Sequence, residues 1–122
     1  MQFCWSTLYV KDMEESLRFY TELVGLPVVS RYPAGPGKEI AFLGDGDAKV
    51  ELISDNTADA AKEIPNISWG FRTPSLDEAM ERVRAYGITE LDGPYSPAPG
   101  TRFFFIRDPN GLSIQFVEQS KA

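Results

Sequence analysis

Few side chains in this sequence can do chemistry, and their types restrict what that chemistry is. The 122 residues contain no histidine, so a general base or metal ligand must be something other than imidazole. Glu51, in Lys49-Val50-Glu51-Leu52, is an acid inside an apolar, strand-like run. Its carboxylate can attract a cation, take a proton, or sit in an ion pair with Lys49 or Arg72. If the strands alternate with period two, Trp5, Thr7 and Tyr9 share a face, as do Lys49, Glu51 and Ile53. Ser68, Gly70 and Arg72, and then Ser113, Gln115 and Val117, form two further such sets. Aromatic walls carrying a few polar groups line small-molecule pockets, although Trp5 and Tyr9 serve equally well as ordinary core. Arg72 can clamp a carboxylate or phosphate, or pair with an acid. The single cysteine, Cys4, excludes an intramolecular disulfide; alternation with Trp5 points it to the opposite face as a small buried apolar group.

These positions need strands to hold them, and the sequence supplies one pattern twice. Residues 3–10 are β-rich, and at Asp12 the period becomes helical. Asp12 with Glu15 makes a capping box, Met13, Leu17, Tyr20 and Val24 form a buried stripe, and Gly25 is the left-handed stop. Residues 27–32, 39–43 and 49–54 read as strands separated by Pro/Gly and Gly/Asp turns. After 55–65, read as a linker, residues 66–73 alternate again. Ser75 with Glu78 caps a second helix with Leu76, Ala79, Met80 and Val83 on its buried side, and Gly87 ends it. Residues 88–91, 102–107 and 112–118 complete the second set of strands. Residues 93–100 are proline-rich and read as an irregular rim or connecting loop. Of Phe103, Phe104 and Phe105, two are expected in the core. An offset of 63 residues lays Trp5 on Ser68 and Asp12 on Ser75.

The expectation is an α+β fold of two βαβββ modules, 1–54 and 66–122, within a single domain of residues 1–122. Each module has a helix on one sheet face and a second face left bare, so two modules must associate, giving curved mixed sheets around a cup. Eighteen acidic against twelve basic residues leave a net charge of -6, which opposes nucleic acid and anionic membranes as partners. No apolar run reaches the roughly 20 residues of a membrane span, and no secretory signal is evident, so a cytoplasmic location is expected.

The run Val10-Lys11-Asp12-Met13-Glu14-Glu15-Ser16-Leu17-Arg18-Phe19-Tyr20-Thr21, followed by Leu23-Val24-Gly25-Leu26, resembles the opening of vicinal oxygen chelate proteins. That superfamily includes glyoxalase I, extradiol dioxygenases, fosfomycin-modifying enzymes and bleomycin-resistance proteins. Phe103-Phe104-Phe105-Ile106-Arg107-Asp108-Pro109-Asn110-Gly111 is similar to its terminal hairpin. The resemblance implies paired βαβββ modules, commonly in a homodimer whose cups are shared between chains. It also implies four metal-holding places, which fall here on Trp5, Glu51, Ser68 and Gln115. An indole, one carboxylate, a neutral alcohol and a neutral amide are a poor ligand set. The expectation is therefore no metal, no cofactor, and a small-molecule ligand that is cationic or aromatic, as in the bleomycin-resistance branch. Its binding residues are expected to be Trp5, Thr7, Tyr9, Lys49, Glu51, Ser68, Arg72 and Gln115. Two alternatives stay open. One is a metal-dependent glyoxalase-like lyase, isomerase or dioxygenase with Glu51 catalytic; the other is a non-catalytic interaction domain whose cup Trp5 fills.

Overall fold

A computed structural model describes residues 2–56 and 67–119. The chain divides into two compact units, Met1–Ile64 and Pro65–Ala122. Each carries a four-stranded mixed sheet and a helix, which makes the fold α+β. In the first unit β1 (Trp5–Tyr9) is followed by α1 (Met13–Arg18), then β2 (Val28–Pro33), β3 (Lys38–Leu43) and β4 (Lys49–Asp55). The second repeats the order with β5 (Ser68–Arg72), α2 (Leu76–Tyr86), β6 (Asp92–Ala98), β7 (Thr101–Arg107) and β8 (Ser113–Gln119). The spatial orders, β1-β4-β3-β2 and β5-β8-β7-β6, are the same topology twice. The first and last strands of each unit run parallel and the other pairs antiparallel.

Local chemistry starts both helices. The backbone N–H of Glu15 donates to Asp12 Oδ1 at 3.1 Å, and that of Glu78 to Ser75 Oγ at 3.2 Å, each satisfying a donor that a helix N-terminus leaves open. Glu118, on β8, adds a second acceptor at α2, its Oε2 taking the Leu76 N–H at 2.6 Å. The first helix loosens into a π-helical turn, Phe19–Leu23, with Val24 N–H reaching Phe19 O at 3.2 Å. That wider turn buries Phe19, Tyr20 and Leu23 together and leaves Val24 half-buried. α2 ends at Gly87, whose φ of 109° is the left-handed conformation a side chain resists.

α1 lies against β4 and α2 against β8, so each sheet has one covered face. Leu8, Ala41, Leu43 and Leu52 fill it in the first unit; Phe104, Ile106, Ile114 and Phe116 fill it in the second. The covered face also holds ions at its margin. Arg31 on β2 pairs with Glu14 of α1 and with Glu39 of β3, and Arg102 on β7 reaches Asp77 of α2 at 3.3 Å. Hydrogen bonds from Arg31 to Glu39 and then Glu14 push its guanidinium pKa up, so it stays charged. The β7–β8 turn is held by buried Asp108, whose Oδ1 accepts the N–H groups of Asn110 and Leu112, both at 2.8 Å.

Three expectations are corrected. Residues 88–91 are not a strand; the pairing begins at Asp92 and runs through the proline-rich segment to Ala98. Proline is tolerated there because β6 is the edge of its sheet, where half of the backbone N–H groups have no ladder partner. Cys4 is exposed, lying just before the first paired residue of β1. Of the three phenylalanines, Phe104 alone is core, since Phe103 and Phe105 point to the opposite face of β7 and are half-buried. Of the expected linker, Asp55 ends β4 and Asn56 forms a turn, and the rest lies outside the described residues.

Candidate functional site

The uncovered face of the first sheet is set by register. β1 meets β4 with Trp5 opposite Lys49, Thr7 opposite Glu51 and Tyr9 opposite Ile53. β3 adds Phe42 opposite Glu51 and Ile40 opposite Ile53. Because Leu8 and Leu52 turn to the helix, period two turns Trp5, Thr7, Tyr9 and Glu51 away from it. Thr7 Oγ1 donates to Glu51 Oε1 at 2.5 Å, which fixes the carboxylate toward β1. The Trp5 and Phe42 rings meet edge to face, with centroids 5.5 Å apart and planes at 79°. Trp5 remains 52% exposed, so much of its indole surface is accessible. The arrangement is an aromatic corner beside an oriented acid, a geometry that attracts organic cations. Lys49 does not compensate that acid, since its Nζ donates to the Gly46 carbonyl in the preceding turn.

The second sheet presents its own uncovered face, with Ser68 opposite Ser113, Gly70 opposite Gln115 and Arg72 opposite Val117. Gly70 has a reason here. A Cβ at that position would lie 3.4 Å from Gln115 Oε1, so the carboxamide rests over the glycine. Arg72 Nη2 donates to Gln119 Oε1 at 3.4 Å, near the end of the same sheet. Tyr95, Phe103 and Phe105 form a file of rings across β6 and β7, with successive centroids 5.7 and 5.6 Å apart. The expected residues thus fall into two sets, one per unit: Trp5, Thr7, Tyr9, Lys49 and Glu51, then Ser68, Arg72 and Gln115. Sequence reading missed Phe42 as the partner of Trp5, although its alternation with Ile40 in β3 is the signal that places it.

The four places at which the resemblance implies metal ligands can be tested for fit. The Trp5 indole offers no donor lone pair in the ring plane, and Ser68 and Gln115 are neutral. Glu51 alone carries charge, and one of its oxygens already accepts from Thr7. Transition ions require three or four good donors. This set does not fit one. Among the described residues, no three histidine, cysteine, aspartate or glutamate side chains gather into a potential metal site.

The Glyoxalase/Bleomycin resistance protein/Dioxygenase superfamily matches residues 3–116. The chain belongs to this superfamily. A lactoylglutathione lyase of Salmonella typhimurium is 29% identical over 131 aligned positions, spanning 100% of this chain and 96% of its own length. A putative lactoylglutathione lyase of Brassica oleracea is 27% identical, and the match spans 90% of this chain but 42% of that protein. Among solved structures, TnmS3, an antibiotic binding protein of a Streptomyces species, superposes with a TM-score of 0.77 at 23% identity, covering 98% of this chain and 97% of that one. A glyoxalase I mutant from Zea mays gives 0.81 at 19% identity, covering 98% of this chain and 45% of that one. At these identities the structural likeness establishes the fold, two mixed sheets each with a helix. Among the described residues no helix is long and apolar enough to cross a membrane.

Proposed function

We propose that this superfamily member binds a small organic cation without a metal, on the uncovered face of the first sheet. The observation that carries the reading is the Trp5–Phe42 corner beside a Glu51 carboxylate held by Thr7. An ammonium or guanidinium group meets both the aromatic faces and the charge there, and the net charge of -6 favours its approach. Tyr9 and Lys49 flank the same face, and Ser68, Arg72 and Gln115 are candidate polar contacts on the second unit's own sheet. The likeness to an antibiotic binding protein supports a binding role; the lyase names of the sequence relatives support the alternative in which Glu51 is catalytic. Homodimerisation and a cytoplasmic setting belong to the same proposal. Exposed Phe3 and Val29 offer apolar surface that a second copy would cover, and sedimentation at micromolar concentration measures it.

Bleomycin, a cationic glycopeptide, is a suitable probe because Trp5 itself reports. In a Trp69→Phe background its addition is expected to quench Trp5 emission saturably and to raise the unfolding temperature. Glu51→Gln, which keeps shape and removes charge, is expected to weaken binding about tenfold. No quenching and no thermal shift at ligand excess contradicts the reading. Metal-dependent formation of lactoylglutathione from methylglyoxal and glutathione, lost in Glu51→Gln, replaces it with the lyase.

A further inference from the structure

The unexpected start of β6 leaves a cleft. Residues 88–91 follow the α2 stop without pairing, and the first β6–β7 pair is Asp92 with Phe105. Beyond that pair, Ile106 and Arg107 have no β6 partner. The chain therefore bows away from the end of β7, and the space between is a cavity of about 760 Å³. That volume falls within the roughly 300–1,000 Å³ of small-molecule sites. It lies wholly within the second unit and uses none of the residues assigned above to binding.

Its chemistry is mixed. Phe105 lines the cleft, its ring packed edge to face with Phe103 at 5.6 Å between centroids, and Leu91 adds apolar surface. Glu90 and Asp92 bring two carboxylates from the bowed segment. Asp92 is oriented, because the Tyr95 hydroxyl donates to its Oδ1; a carboxylate has two oxygens and about four lone-pair sites, so it can accept again. Arg107 also lines the cleft, and its Nη1 donates to the Gly111 carbonyl at 3.1 Å, which directs the guanidinium toward the β7–β8 turn. The lining thus combines a ring and two acids with one arginine already engaged at the Gly111 carbonyl, which selects both shape and sign. An anion would meet the two carboxylates, and a neutral ring would leave them without a partner.

We propose that this cleft binds a planar aromatic cation, its ring against Phe105 and its protonated nitrogen at the carboxylates of Glu90 and Asp92. Ring contact supplies apolar burial, and the acids fix which edge of the ring points inward. The site stands independently of the Glu51 reading, because no residue is common to both.

The test uses 9-aminoacridine, a flat ring protonated at neutral pH, and acridine, the same ring uncharged at that pH. Fluorescence titration of the full chain carrying Glu51→Gln, which removes the charge of the first-sheet site, is expected to show saturable, equimolar binding of 9-aminoacridine, with acridine about tenfold weaker. The double variant Glu90→Gln/Asp92→Asn changes exposed side chains and is expected to weaken 9-aminoacridine about tenfold while leaving acridine unchanged. Phe105→Leu is expected to weaken both ligands and Phe105→Tyr to restore them. Absence of saturable binding by the Glu51→Gln protein overturns the proposal. So does equal affinity for the two ligands, or equal affinity of the double variant for 9-aminoacridine.

Discussion

Glu51 and Gln115 sit at equivalent places in the two sheets and differ by one charge. Each has a distinct neighbour: Glu51 takes a hydroxyl hydrogen bond from Thr7, and Gln115 rests over Gly70. The faces of both were legible in the sequence, because alternation along β1, β4, β5 and β8 has no bulge to shift it. The orientation of Phe103 and Phe105 was not legible, since three successive identical residues carry no pattern from which to choose a face. The exposure of Cys4 was not legible for a different reason: alternation assigns a side, but burial requires a helix or neighbouring strand over that side. The hydrogen bond from Tyr95 to Asp92, and secondarily its surroundings and the Asp92 charge, raise the phenol pKa above its ordinary 10.0. The neutral phenol is thus the favoured form; the stability it contributes is present below the ordinary value and lost as pH rises through the raised one. An NMR titration of the Tyr95 ring is expected to show the raised value, and Asp92→Asn to return it toward the ordinary range. A titration unchanged by Asp92→Asn contradicts the assigned cause.

Helix starts were the most legible elements, because a capping side chain and its recipient N–H lie three residues apart. The π-helical turn was not, since it arises from packing Phe19, Tyr20 and Leu23 together rather than from a local signal. The sheet cores followed from alternation, and β6 did not. Its prolines argue against a strand, yet pairing at an edge needs only part of the backbone. Gly93 shows how closely β6 approaches its neighbour. Its φ is 122°, and an added Cβ would lie 3.2 Å from Phe103 O and 3.2 Å from Phe104 Cα. Gly93→Ala is expected to destabilise the fold by roughly 1–3 kcal/mol, measured by urea unfolding. An unchanged midpoint contradicts the tight approach of β6 to β7.

At the scale of the whole molecule, one topology occurs twice, with equivalent strand order in both units. The sequence conveyed this through paired caps, paired stop glycines and paired terminal strands rather than identity. What it could not convey was the cleft beside β7, which exists because one expected strand fails to form. Fold and charge leave the choice between binding and metal-assisted catalysis to the donor set, and that set is one acid with three weak or absent donors. The decisive measurement is metal content and affinity. The protein is purified without chelators, dialysed against nickel, zinc or manganese, and analysed by elemental mass spectrometry alongside Glu51→Ala. Substoichiometric metal is expected in both, with no difference between them. Equimolar, tightly held metal in the wild-type protein that disappears in Glu51→Ala would contradict this expectation.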